Sequence, residues 1–149
     1  MPKIPIIESL TLGSIPPGSN LLVEFDPSSQ WYNAATTIAG GWLNSGGKLT
    51  YLLSSRPPEN IRSQLTKLGV NVQDLEGGGK LRIWDAYSAT LGLQSQEKYR
   101  LESLNVADLR IWAAKEFMHQ PVSPDLLLIA ENSSVLASYM MKGLGSNIR

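Results

Sequence analysis

The chain has 149 residues, of which 13 are basic and 13 acidic, so its formal net charge is zero. This length is enough for one domain with its own core, and the balanced charge argues against a nucleic-acid binder driven by net charge, although a local basic patch is compatible with it. The absence of cysteine excludes disulfides, thiol catalysis and thiolate metal sites, and one histidine excludes a multi-histidine zinc site. We predict a single domain over residues 1–149 with no metal and no cofactor.

The hydropathy pattern gives no sign of membrane insertion. No apolar run approaches the roughly 18 residues that a helix needs to cross a bilayer, and the N-terminus lacks the continuous apolar core of a signal peptide. We therefore expect a cytoplasmic protein without a membrane partner.

The first distinctive stretch joins an apolar run to a helical pattern through a polar loop. Residues 21–25 are mostly apolar and predict a strand buried on both faces, and helical spacing of apolar residues runs from about Gln30 to Asn44. Gly46 and Gly47 follow, as is typical of a helix end. Strand, loop and helix in this order are the setting in which nucleotide-binding proteins place a phosphate loop.

Strands and helices continue to alternate along the rest of the chain. Apolar runs predict strands at residues 49–53, 81–85 and 125–131, and helical spacing predicts helices from Pro58 to Gly69, from Leu104 to Met118 and from Val135 onward. A polar connection is predicted at residues 70–79 and an irregular segment at 86–104. The alternation predicts an α/β fold, a parallel sheet of about four or five strands with helices on both faces.

A series of short pieces runs in fixed order between residues 7 and 139. They are Gly18-Ser19, residues 24–29, Gly46-Gly47-Lys48-Leu49, Pro58-Glu59-Asn60-Ile61-Arg62, Lys67-Leu68-Gly69, residues 79–88 and residues 125–136. In order and spacing they resemble the KaiC-like branch of the RecA superfamily of ATPases, in which the last piece would be the Walker B strand. In the family two more strands follow the Walker B strand, and one of them lies between the first strand and the Walker B strand. The given sequence ends before them, so the resemblance implies a truncated RecA-like fold.

The residues at the nucleotide site depart from the family pattern. A phosphate loop reads G-x-x-x-x-G-K-[ST], and here the four specified positions hold Phe25, Gln30, Trp31 and Tyr32. Glycine is needed there because the backbone visits positive φ close to the phosphates, and the lysine reaches the β and γ phosphates. The resemblance therefore implies a degenerate nucleotide site, made of Phe25, Asp26, Pro27, Ser28, Ser29, Gln30, Trp31, Tyr32, Ser55, Arg56 and Glu131.

Two parts of this degenerate site leave alternatives open. Trp31 and Tyr32 either fill the emptied pocket, which their helical spacing favours, or anchor a partner. Ser55 and Arg56 align with the family's pair of catalytic glutamates, and Glu131 aligns to within one residue with the Walker B aspartate. Arg56 could contact a phosphate or an acidic partner, but beside two prolines it is expected to be an exposed loop arginine.

Four carboxylates are predicted at or near the carboxyl ends of the parallel strands, where open α/β sheets bind ligands. They are Glu24, Asp26, Asp85 and Glu131. Such a cluster could hold a divalent cation, but without an accompanying ligand pattern the preferred interpretation is solvated or helix-N-terminal acids.

The hypothesis that follows is a non-catalytic KaiC/RecA-like pseudo-ATPase that acts as a regulatory or scaffolding protein-interaction domain. One alternative is a weak nucleotide or small-molecule binder at the carboxyl edge of the sheet, and another is an accessory nucleic-acid-binding protein of recombination, which the neutral charge disfavours. Expected partners are a second copy of the chain, as a dimer or larger oligomer, or a related active ATPase. The apolar residues predicted on the last helix are the interaction candidates: Tyr139, Met140, Met141 and Leu144.

Overall fold

The structure is a computed structural model that describes residues 31–103, 105–115 and 125–131, with the backbone alone at Trp31 and Val106. In chain order, its elements are α1 (Trp31–Asn44), β1 (Lys48–Leu53), α2 (Pro58–Lys67), α3 (Val72–Gly77), β2 (Leu81–Asp85), α4 (Tyr87–Thr90), α5 (Val106–Ala113) and β3 (Leu126–Glu131). The predicted strand at 21–25 and the predicted helix from Val135 lie outside these ranges.

The described strands form one parallel sheet in the order β2-β1-β3. Leu53, at the end of β1, lies in register with Asp85 on one side and with Glu131 on the other. The prediction of an α/β fold with a parallel sheet is confirmed. The described residues supply three strands, whereas the sequence predicts about four or five.

Alternate residues of the central strand enter two separate cores, as expected for a strand buried on both faces. Leu49, Tyr51 and Leu53 belong to a cluster completed by residues of α1, α2, α3 and β2. Leu52 belongs to a second cluster with Leu109 and Trp112 of α5. Helices therefore cover both faces of the described sheet.

The turn between α1 and β1 explains why the chain has consecutive glycines there. Gly46 has a positive φ of 90°, a conformation that costs glycine little. At Gly47 the Trp42 indole lies so close that a Cβ would come within 2.3 Å of its Nε1. This indole donates from Nε1 to the carbonyls of Lys48 and Asp125, so it ties α1 to the beginnings of β1 and β3.

Two segments differ from the sequence prediction. The polar connection predicted at residues 70–79 contains α3, because Asn71 caps it by accepting from the Asp74 amide and Val72 is buried in the core. The segment predicted to be irregular contains α4, a single short helix. Asn105 caps α5, since its side chain accepts from the Asp108 amide at 2.8 Å.

Candidate functional site

A buried ion pair joins the ends of β1 and β3. Glu131 is the last residue of β3, and Arg56 lies in the loop that follows β1. The Arg56 guanidinium holds the carboxylate through two parallel bonds, from Nε to Oε2 at 2.8 Å and from Nη2 to Oε1 at 2.5 Å. The two side chains are only 10% and 2% exposed, so this charge-assisted pair is shielded from solvent.

The remaining guanidinium donors are also used. Nη1 donates to Asn60 Oδ1 at 3.2 Å and to Gln64 Oε1 at 2.8 Å. Nη2 also lies 3.1 Å from Thr36 Oγ1 and 3.3 Å from the Tyr51 hydroxyl. Although desolvation acts to lower the pKa of Arg56, the bonds and charge of Glu131 raise it, so the guanidinium stays protonated.

The carboxylate of Glu131 has further donors. Tyr51 donates its hydroxyl to Oε1, and Ser55 Oγ lies 3.4 Å from Oε2. Ser54 donates its hydroxyl to the Glu131 carbonyl at 2.7 Å. Burial, followed by the charge of Glu131, raises the pKa of Tyr51 well above its usual value, so this phenol stays neutral. The Glu131 carboxylate therefore has hydroxyl groups of Tyr51 and Ser55 as neighbours in addition to the guanidinium of Arg56.

The aromatic residue at the start of α1 lies against the same ion pair. The ring centroid of Tyr32 is 5.1 Å from the Cζ atom of Arg56, which is within the range of a cation–π contact. This contact is compatible with pocket filling by Tyr32. The structure does not describe the side chain of Trp31, so the choice between pocket filling and partner anchoring stays a prediction for that residue.

Two sequence interpretations of this site are wrong. Arg56 is 9% exposed instead of being an exposed loop arginine, and Glu131 is 3% exposed instead of being a solvated acid. In both cases the cause is the other residue, because each charge is compensated by its partner and can therefore be buried. In the sequence, the available signal for this pair was a single arginine after one strand and a single acid at the end of another.

Asp85 occupies the corresponding place on the other side of β1 and has different partners. Ser88 donates its amide to Oδ1 at 3.0 Å, and the hydroxyls of Ser88 and Ser95 each donate to Oδ2 at 2.6 Å. Desolvation acts to raise the pKa of Asp85, but together these hydrogen bonds lower it below its usual value. Asp85 therefore accepts from an amide in the first turn of α4 and is buried, so of the two interpretations of this acid the solvated one is wrong.

The carboxylates of the predicted cluster do not act together in the part of the chain that the structure describes. Asp85 and Glu131 are separated by β1, and each binds its own set of donors. Within the described ranges, no group of three histidine, aspartate or glutamate residues is arranged to hold a metal ion. Glu24 and Asp26 lie outside those ranges.

The structure thus brings together Tyr32, Ser55, Arg56 and Glu131 from the predicted site. The other candidates, at residues 25–30 and at Tyr139, Met140, Met141 and Leu144, lie outside the described residues. Sequence reasoning missed Thr36, Tyr51 and Gln64, whose polar groups complete the network from three elements. Each has an ordinary helical or strand context, and no local pattern marks it.

None of the helices described here is both long enough and apolar enough to cross a membrane. Comparison of the chain with protein-family models and with curated proteins gives no match in either case. The fold class and the geometry of the buried network are therefore the basis for assigning a function.

Proposed function

We propose that this protein is a non-catalytic KaiC/RecA-like domain that acts through protein contacts, as a regulatory or scaffolding partner. The observation that carries the proposal is the bidentate pair between Arg56 and Glu131. It lies at the carboxyl end of parallel strands, where open α/β sheets carry their ligand sites.

Nucleotide hydrolysis would need a carboxylate that is not already paired with a cation of the protein. Phosphoryl transfer relies on a carboxylate to hold magnesium and on a further group to orient the attacking nucleophile. Here both carboxylate oxygens of Glu131 accept bonds from a guanidinium, and an arginine stands where the resemblance places a catalytic acid. The carboxylate is neutralised by a buried cation, which supports a site without hydrolytic chemistry.

The guanidinium is equally unsuited to binding phosphate. Arg56 directs its donors at Glu131, Asn60, Gln64 and Thr36, and its side chain is 10% exposed. An incoming phosphate would have to displace a paired carboxylate from a desolvated site. The loss of the phosphate-loop lysine and glycines from the sequence points in the same direction.

The test is a thermal-shift titration of the wild-type protein with magnesium-ATP, accompanied by a phosphate-release assay. We expect no saturable rise in melting temperature and no release of phosphate at millimolar ATP, because the charge-assisted contacts to the phosphates are missing. A saturable rise would contradict the proposal and favour the alternative of a nucleotide or small-molecule binder. Loss of that rise in Arg56→Ala, but not in Arg62→Ala, would then place the ligand at this edge of the sheet.

A further inference from the structure

The polar groups that surround the Arg56 guanidinium all present an oxygen atom to it. Six oxygen atoms lie within hydrogen-bond distance of its three nitrogens and come from four elements of the fold. They are Oγ1 of Thr36, the Tyr51 hydroxyl, Oδ1 of Asn60, Oε1 of Gln64, and Oε1 and Oε2 of Glu131. The Tyr32 ring lies 5.1 Å from the guanidinium carbon.

Each of these groups stabilises a cation. The carboxylate supplies a full negative charge, the amide and hydroxyl oxygens supply the negative ends of dipoles, and an aromatic face attracts cations through its quadrupole. All four elements that contribute oxygens belong to the folded body around the sheet, whereas Arg56 itself lies in the loop between β1 and α2. The oxygens therefore form a cage whose occupant is supplied by a loop.

We propose that this is a guanidinium-selective cation cage that the protein fills with its own Arg56 side chain at the carboxyl edge of the sheet. The inference rests on the proposed function only in taking this edge as the former nucleotide site. The ligand class is a planar organic cation with several N–H donors.

The distribution of the acceptors sets this ligand class. The carboxylate faces Nε and Nη2, while Asn60 and Gln64 face Nη1, so the acceptors surround three separate nitrogens. A small divalent ion would need its oxygen ligands to converge on one point at about 2.0–2.6 Å. The cage therefore fits a guanidinium fork better than magnesium or calcium.

The experiment removes the Arg56 side chain and supplies its charged group, guanidinium, in solution. Arg56→Ala is titrated with millimolar guanidinium chloride, with sodium chloride at equal ionic strength as the reference, and the melting temperature is followed. We expect Arg56→Ala to melt below the wild type and to recover by about 2–4 °C in a saturable manner. Wild type, whose cage is filled, should show no such rise.

Arg62→Ala is the matched control, because the guanidinium of Arg62 is held by the carboxylates of Glu76 and Glu97 at a site where its side chain is 27% exposed, whereas that of Arg56 is 10% exposed. The double variant Arg56→Ala/Glu131→Gln should lose the recovery, because the cage has lost its charge. If Arg56→Ala does not fold alone, recovery of its far-ultraviolet circular dichroism on adding guanidinium supports the proposal.

Three results would overturn the cage. The first is that guanidinium raises the melting temperature of neither Arg56→Ala nor Arg56→Gln. The second is an equal rise in Arg62→Ala, and the third is a larger rise with magnesium chloride than with guanidinium chloride. None of these measurements contains a nucleotide. If wild-type protein bound ATP, the proposed function would fail while the guanidinium recovery of Arg56→Ala would still decide the cage.

Discussion

At the residue scale, the stability of the protein should depend strongly on Arg56 and weakly on Arg62. Truncating Arg56 leaves Glu131 buried without its counter-ion, and breaking such a pair costs about 3–5 kcal/mol. Arg62→Ala removes partly exposed pairs with Glu76 and Glu97 and should cost about 1 kcal/mol or less. Urea denaturation at neutral pH measures both free energies of unfolding.

A double variant separates the cost of an unpaired charge from the net contribution of the ion pair. Arg56→Met/Glu131→Leu removes both charges and keeps apolar volume in the site, so it should lose less stability than Arg56→Ala. Equal losses in the free energy of unfolding for Arg56→Ala and Arg62→Ala would contradict the burial of the ion pair between Arg56 and Glu131.

Asp85 should give the protein part of its pH dependence. Its pKa is lower in the folded protein than the ordinary value of 3.8, so folding favours the ionised form. The stabilisation is therefore fully present above about 3.8 and is lost as the pH falls through the lower folded-state value. We expect Asp85→Asn to be less stable at neutral pH, by about 1–3 kcal/mol, and to lose less stability on acidification.

Urea denaturation at a series of acid pH values measures this difference between Asp85→Asn and wild type. Glu102→Gln is the control, because the side chain of Glu102 is 69% exposed and its partner Arg100 is also exposed. A pH profile for Asp85→Asn that runs parallel to the wild-type profile would show that Asp85 contributes nothing to it.

At the element scale, two glycines near the end of α1 should respond oppositely to alanine. Gly41 lies inside α1, is exposed, and has open space where a Cβ would be placed. Gly41→Ala should therefore stabilise the protein by about 0.5–1 kcal/mol, because alanine loses less backbone entropy in a helix. At Gly47 a Cβ would clash with Trp42, whose indole ties α1 to β1 and β3, so Gly47→Ala should destabilise it.

Thermal unfolding of the two single variants is sufficient to check this pair. The expected order of melting temperatures is Gly41→Ala, wild type, then Gly47→Ala. A Gly47→Ala protein as stable as wild type would show that the Trp42 indole can move without cost.

At the scale of the whole molecule, we expect a symmetric dimer. The chain has no net charge to oppose association, and the sequence places Tyr139, Met140 and Met141 together in a predicted helix. Light scattering coupled to size exclusion, at tens of micromolar, should give twice the monomer mass, and Tyr139→Glu should reduce it.

Leu93→Glu provides the comparison for the dimer, since Leu93 is 63% exposed in the loop after α4. Dissociation by Leu93→Glu alone would move the interface to that loop. A monomeric mass for the wild type would contradict the dimer itself.

Local patterns in the sequence determined most of the described elements. The apolar runs that predict strands at residues 49–53, 81–85 and 125–131 match β1, β2 and β3 to within one residue at each end. The cap at Asn105 was also predictable, because a helix cap involves neighbours three residues apart. The short helix α3 was missed because a helix of 6 residues contains too few turns to show a period.

Tertiary structure alone decided the character of the candidate site. From its neighbours, Arg56 is a polar residue in a loop with two prolines, and such a residue is expected to be exposed. Its counter-ion lies 75 residues away and reaches it only because β3 pairs beside β1. Local sequence sets where a strand or helix begins, but the burial of a charge depends on whether a distant opposite charge arrives at the same place.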